Sequence, residues 1–142
     1  MKQIAIYAKK VSKADVPVFE ALLSGIVQLG WQPLLENELA LQLQNKFQWP
    51  QSYAVFETHN DLKSNVDLMI SVGGDGTFLK AVSFVRDSNV PILGINTGRL
   101  GFLSNLSKDQ IGQTLERFAA GHYEFQKRSL LRVHTENELF GD

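Results

Sequence analysis

The chain has no cysteine, which excludes a disulfide framework, a thiol nucleophile and any cysteine metal site, and fits a reducing compartment. It also lacks a dominant charge. Fourteen Lys plus Arg against fifteen Asp plus Glu leave a formal net charge of -1, so no strong field gathers nucleic acid or an anionic membrane surface. An anionic ligand must then be held locally. No stretch approaches the roughly 20 apolar residues of a membrane span. The opening segment carries Lys9, Lys10 and Lys13 where a signal peptide would need an unbroken apolar run. The expectation is a soluble cytoplasmic protein with neither nucleic acid nor membrane as partner. At 142 residues, 44% hydrophobic and 20% charged, with a mean hydropathy of -0.11, the composition fits one ordinary domain and not a disordered chain.

Gln3 to Ala8 is a short apolar run followed by a polar break, the pattern of a buried first strand. Asp15 is placed to cap a helix in which Phe19, Leu22, Leu23 and Ile26 share one face, with Pro17 tolerated in the first turn and Gly30 as terminator. Trp31 to Leu35 reads as a second strand. Leu39, Leu43 and Phe47 recur on a helical face, Gln48 to Ser52 with Pro50 as a loop, and Tyr53 to Phe56 as a short strand. Val66 to Val72 is an apolar strand that runs straight into Gly73-Gly74-Asp75-Gly76-Thr77, and Phe78, Ala81, Val82 and Val85 mark the helix that leaves this loop. Pro91 to Ile95 gives a further strand, Asn96 to Gly101 a second glycine loop, and Ser107 with Gln110 a capping-box pattern before a helix faced by Ile111, Leu115 and Phe118. Alternating strands and helices predict an α/β domain with parallel strands and right-handed crossovers. From Tyr123 the character changes: Tyr123 to Phe125 and Leu130 to Thr135 read as strands with no helix between them, which suggests a domain boundary there and a truncated chain.

Six of the eleven glycines fall between Gly73 and Gly101. Glycine lets a ligand approach the main chain, and a loop feeding a helix N-terminus presents unsatisfied N–H groups to an anion, phosphate above all. Both loops follow strands, on the side where α/β proteins receive ligands. The loop is not a Walker loop, having no Gly-Lys-Ser/Thr, and it does not match G-x-G-x-x-G. Two readings stay open for Asp75. It can cap a helix after a tight turn, or, as an acid inside a loop suited to anions, serve as a base.

Gly73-Gly74-Asp75-Gly76-Thr77 resembles the loop shared by NAD kinases, diacylglycerol and sphingosine kinases and, more distantly, phosphofructokinases. Gly94-Ile95-Asn96-Thr97-Gly98-Arg99-Leu100-Gly101-Phe102-Leu103 resembles the Asn-Thr-Gly-x-Leu-Gly-Phe motif of NAD kinases, and the likeness spans roughly residues 1 to 135. The pair identifies the chain as a member of the NAD kinase family. This implies a Rossmann-like layered α/β domain with a mostly parallel sheet, residues 1–125, followed at 126–142 by the truncated start of an all-β, NAD-binding second domain. It implies transfer of a phosphoryl group from ATP or polyphosphate, with Mg2+, to the adenosine ribose 2′-hydroxyl of NAD, giving NADP. Asp75 matches the family's catalytic aspartate and would accept the hydroxyl proton; its ordinary pKa of about 4 leaves it ionised at neutral pH. Gly74, Gly76 and Thr77 would contact dinucleotide or donor phosphates. Lys80 matches a basic position near NAD, although a lysine on an exposed helix face ordinarily meets solvent. Phe102 matches a position lining the adenine pocket, Asn96 would brace the second loop, and Arg99 is read as surface.

His59, His122 and His134 lack metal-ligand spacing, so magnesium is expected to arrive with the nucleotide, held by phosphates and water. The family's second domain supplies an Asn-Glu pair that grips NAD. Asn137-Glu138 lies in a turn-like stretch and is not taken as that pair, which would fall beyond Asp142. The fragment alone is therefore expected to be inactive or nearly so, and the full-length protein to be a homo-oligomer. The competing readings are a lipid or sphingoid-base kinase, against which the Asn96 to Phe102 motif argues, and a noncatalytic nucleotide-binding module.

Overall fold

The computed structural model describes residues 1–46, 52–62, 66–98, 101–104 and 106–130. Strands β1 (Gln3–Tyr7), β2 (Gln32–Glu36), β3 (Ala54–Phe56), β4 (Leu68–Val72), β5 (Ile92–Asn96) and β6 (Leu106–Ser107) form a six-stranded sheet in the order β3-β2-β1-β4-β5-β6. Every pairing is parallel. The helices are α1 (Val16–Gln28), α2 (Asn37–Gln44), α3 (Asp75–Val85) and α4 (Ile111–Ala119).

Apolar runs become central strands here because both faces of the sheet are covered. Ile4 and Ile6 of β1, with Leu68, Ile70 and Val72 of β4, join Phe19, Leu22, Ile26, Leu39, Leu115 and Phe118 in the larger core, under α1, α2 and α4. The alternate residues Ala5, Tyr7 and Met69 turn to the other face and pack with Phe56, Leu62, Ala81 and Val85, under α3. Both α1 and α4 end in left-handed glycines, Gly30 (φ 71) and Gly121 (φ 74). At α1, Trp31 N donates to Ile26 O and Gly30 N to Val27 O; at α4, His122 N donates to Arg117 O and Gly121 N to Phe118 O. These are paired Schellman bonds, which satisfy carbonyls that the helix leaves open.

Four details depart from the sequence reading. Asp15 stands at the N-cap of α1, but its Oδ2 accepts from Ser12 N (2.8 Å) and Ser12 Oγ (2.6 Å), so it closes the preceding 3-10 turn and does not bond the helix. The two-residue β6 was not anticipated, being too short to carry a pattern. Tyr123 to Phe125 forms no strand; its rings pack together instead, Tyr123 tilted on Phe118 at 4.8 Å and edge-to-face with Phe125 at 5.1 Å between centroids. The capping box of Ser107 and Gln110 opens a 3-10 turn, Lys108–Gln110, from which α4 continues. Phe47, most of the loop at 48–52 and the strand expected at 130–135 fall largely or wholly outside the described residues.

Candidate functional site

The sheet order reverses between β1 and β4, and in such doubly wound sheets the crevice beyond the carboxyl ends at that point receives ligands. The first glycine loop springs from the end of β4 there. Gly73 has φ 148, and a Cβ on it would stand 2.6 Å from Thr77 Oγ1; glycine is required by both conformation and space. Gly73 N donates to Ile95 O (2.9 Å), stitching the loop to β5. Gly74 is the N-cap of α3, and its carbonyl accepts from Thr77 N (3.0 Å) and Phe78 N (3.1 Å). A side chain at Gly74 or Gly76 would meet no protein atom within 4 Å. Both are exposed, so the space above them is open to solvent at the positive end of α3.

The second loop closes onto the first through Asp75. Its carboxylate, half-buried at the start of α3, accepts three consecutive main-chain N–H groups: Phe102 N on Oδ2 (3.0 Å), and Leu103 N (3.0 Å) and Ser104 N (3.1 Å) on Oδ1. These bonds, led by that from Leu103 and followed by those from Ser104 and Phe102, hold the Asp75 carboxyl below the usual carboxylate range. The loop is braced from below by Asn96, which is 5% exposed. Asn96 Nδ2 donates to Ser104 O (3.1 Å), and Asn96 Oδ1 accepts from Gly98 N (2.8 Å). Gly101 N also donates to Ser104 O (3.3 Å).

Ser104 is the hub that the sequence reading missed. A Cβ on Gly94 would lie 2.8 Å from Ser104 Cα and 2.9 Å from Phe78 Cδ2, so this glycine lets the second loop cross β5 directly beneath α3. No periodicity or motif in the sequence marks Ser104; its only signal is a polar residue that proves fully buried.

The predicted site residues divide accordingly. Gly74, Asp75, Gly76, Thr77, Asn96 and Phe102 belong to the two joined loops. Phe102 is 94% exposed, its ring presented to solvent while its N–H is held by Asp75. Lys80 is exposed on α3 with its ammonium 5.3 Å from the Phe84 ring centroid. Phe84 lies about 13 Å along the helix from Asp75, at about 1.5 Å per residue, so the ammonium rests toward the far end of α3. Arg99 and Leu100 lie outside the described residues.

Among the described residues no three His, Asp or Glu side chains come together to hold a metal. His59 has a structural tie: Nδ1 donates to Phe84 O (2.8 Å) and Nε2 lies 3.3 Å from Asp87 Oδ1, fastening the 3-10 turn His59–Leu62 to the end of α3. His134 is outside the described residues. No helix among them is long and apolar enough to cross a membrane.

Parallel strands in this order, with a glycine loop opening a helix at the reversal point, define the doubly wound α/β class. Comparison with known proteins sharpens the class. The family model for the ATP-NAD kinase N-terminal domain matches residues 8–123, and the chain belongs to that family. It is 34% identical over 137 residues to the NAD kinase of Flavobacterium psychrophilum, covering 96% of this chain and 47% of that protein. It is 36% identical over 133 residues to the NAD kinase of Geotalea daltonii, covering 94% and 44%. With the NAD kinase of Bacteroides fragilis identity rises to 49% over 69 residues, 49% of this chain and 24% of that protein. The chain thus spans about half the length of the curated relatives it matches. Among solved structures, yeast NADH kinase complexed with NADH shares the fold, with a TM-score of 0.65 at 23% identity over 86% of this chain and 39% of that one.

Proposed function

We propose that this chain is the phosphoryl-transfer half of an NAD kinase, which moves the γ-phosphoryl group of ATP, or a phosphoryl group of polyphosphate, to the adenosine ribose 2′-hydroxyl of NAD. The observation that carries the reading is a single carboxylate, Asp75, standing where two glycine loops join at the mouth of the sheet. The similarity to NAD kinases over most of the chain supports the choice of acceptor.

A carboxylate offers about four acceptor sites. Asp75 uses two on Oδ1 and one on Oδ2, so Oδ2 keeps a site that a substrate hydroxyl can occupy. The same main-chain bonds make Asp75 a weaker base than a free carboxylate. That suits phosphoryl transfer, whose loose transition state asks little proton removal ahead of P–O cleavage. Asp75 would align the 2′-hydroxyl and take its proton as the new bond forms, a contribution of about 10²- to 10⁴-fold. The open ground above Gly74 and Gly76 and the first N–H groups of α3 suit phosphate, and Thr77 adds a hydroxyl beside it. Phe102 offers a ring face on which adenine can stack. Lys80 would reach a phosphate only by leaving the Phe84 ring.

Mg2+, which neutralises phosphate charge when bound, would enter with the triphosphate, held by phosphates and water. In this reading residues 1–125 form the nucleotide-binding domain and 126–142 lead into a second, β-rich domain of a cytoplasmic, homo-oligomeric enzyme. A lipid kinase would share the first loop but gives no reason for the Asn96 brace and the second loop.

The test is Asp75→Asn in the complete polypeptide, with NAD affinity measured by calorimetry and turnover by NADP formation. The expected result is NAD affinity that is weakened but still measurable, since the asparagine oxygen can keep the two bonds that Oδ1 accepts, with turnover lost by about 10²-fold or more. Equal turnover in the mutant would reduce Asp75 to a structural acid.

A further inference from the structure

Asp75 has a second task, which deepens the reading above and rests on it for the identity of the substrate. Its three N–H partners are consecutive, Phe102, Leu103 and Ser104, and they come from a loop more than 25 residues downstream. One carboxylate thereby fixes three successive peptide planes. The residue just before them is Gly101, where a Cβ would stand 2.6 Å from Asp75 Cγ and overlap Oδ1. Any side chain at 101 would push the carboxylate away from the amides. Gly101 is therefore a glycine because of Asp75, and the two residues form one device.

We propose that Asp75 is a positioning residue as well as a substrate contact: its carboxylate latches the second glycine loop onto the first, so that the Phe102 ring stands ready for the dinucleotide before it binds. A ring 94% exposed on an unlatched loop would sample many orientations, and each binding event would have to order it. The latch meets that cost in the free protein. Asn96 holds the same loop through Ser104 O, the carbonyl of the residue whose N–H Asp75 takes. The loop is thus gripped from α3 above and β5 below.

Two variants of the complete polypeptide test this, Gly101→Ala and Asp75→Ala, with hydrogen exchange followed at the amides of 102, 103 and 104 in the ligand-free protein. The expected result is exchange at least about 10-fold faster at these amides in both variants, with the amides of β1 and β4 unchanged. Unchanged exchange at all three amides in Asp75→Ala would overturn the latch, and this arm holds even if the parent shows no kinase activity. Gly101→Ala keeps the carboxylate but displaces it, so a fall in kcat is expected as well and the latch is read from the split between the two KM values. Its KM for NAD should rise about 10-fold or more while its KM for ATP stays within about 2-fold. A change that falls equally on both substrates, or only on kcat, would assign the loop a merely structural role. Loss of fold in Gly101→Ala would leave the exchange data of Asp75→Ala to decide.

Discussion

The crossing of the second loop over β5 places a sharp demand on Gly94, and replacing it by alanine measures that demand. The new Cβ would lie 2.8 Å from Ser104 Cα and Oγ and 2.9 Å from Phe78 Cδ2, closer than carbon atoms pack. Ser104 cannot retreat freely: its N–H is held by Asp75, and its carbonyl by Asn96 and Gly101. Gly94 itself sits in β5, paired with Ser71 of β4 in the middle of the sheet. Overpacking of a filled interior costs about 1–3 kcal/mol. At about 2–4 °C per kcal/mol for proteins of 150–250 residues, Gly94→Ala should lower Tm by about 2–12 °C. Urea unfolding of the complete polypeptide, read by circular dichroism, should show a lower midpoint at unchanged slope. Because the displaced atom belongs to the loop, the amides of 102–104 should also lose protection. A variant with parental midpoint and parental protection would mean that the loop does not cross here, and the joined site would fall with it.

Gly25→Ala is the contrasting case. Its Cβ would meet only Leu115 Cδ1, at 2.7 Å, the movable end of a side chain, and alanine gains about 1 kcal/mol of helix propensity within α1, so the stability read from urea unfolding should change by no more than about 1 kcal/mol. Under acid, the Asp61 carboxyl is held below its ordinary value by the main-chain N–H of Thr58, then that of Glu57, then the Thr58 hydroxyl. Its stabilisation is therefore complete above the unfolded pKa and lost as pH falls through the lower folded one, and Asp61→Asn should flatten the parent's loss of stability below about pH 4. Under alkali the sign reverses: burial, then the Glu36 charge, raises the Tyr7 phenol, so its contribution is present below about pH 10 and lost as pH climbs through the folded value. Tyr7→Phe should remove that alkaline decline in a pH series of thermal melts.

Much of the sheet was legible because β1 and β4 are buried on both faces and so carry continuous apolar runs, Ile4 to Ala8 and Leu68 to Ile70, each followed by a polar residue. The helices showed through Phe19, Leu22, Leu23 and Ile26, and through Ile111, Leu115 and Phe118, whose spacing survives as buried faces. Strand order was not legible, since periodicity says nothing about neighbours. Tyr123 and Phe125 misled because aromatic residues favour strands and stacks alike, and here Phe118 offers a ring where a strand would need a partner edge. At the site, the two glycine loops and Asp75 stood out by composition and motif. Their junction did not, because the carboxylate bonds main-chain N–H groups, which every residue but proline carries and which leave no trace in the sequence. Ser104 escaped for the same reason: its N–H and carbonyl do the work.

The proposed phosphorylation of the 2′-hydroxyl of NAD where the two glycine loops close on Asp75 is read out by the position of the transferred phosphate. The complete polypeptide is incubated with NAD, magnesium and ATP labelled at the γ-phosphate, and the product is resolved by phosphorus NMR. Label is expected on the adenosine 2′-oxygen, formed by the parent and not by Asp75→Asn. Label on another oxygen, on a lipid acceptor in place of NAD, or nowhere in a folded protein supplied with ATP or polyphosphate would contradict it.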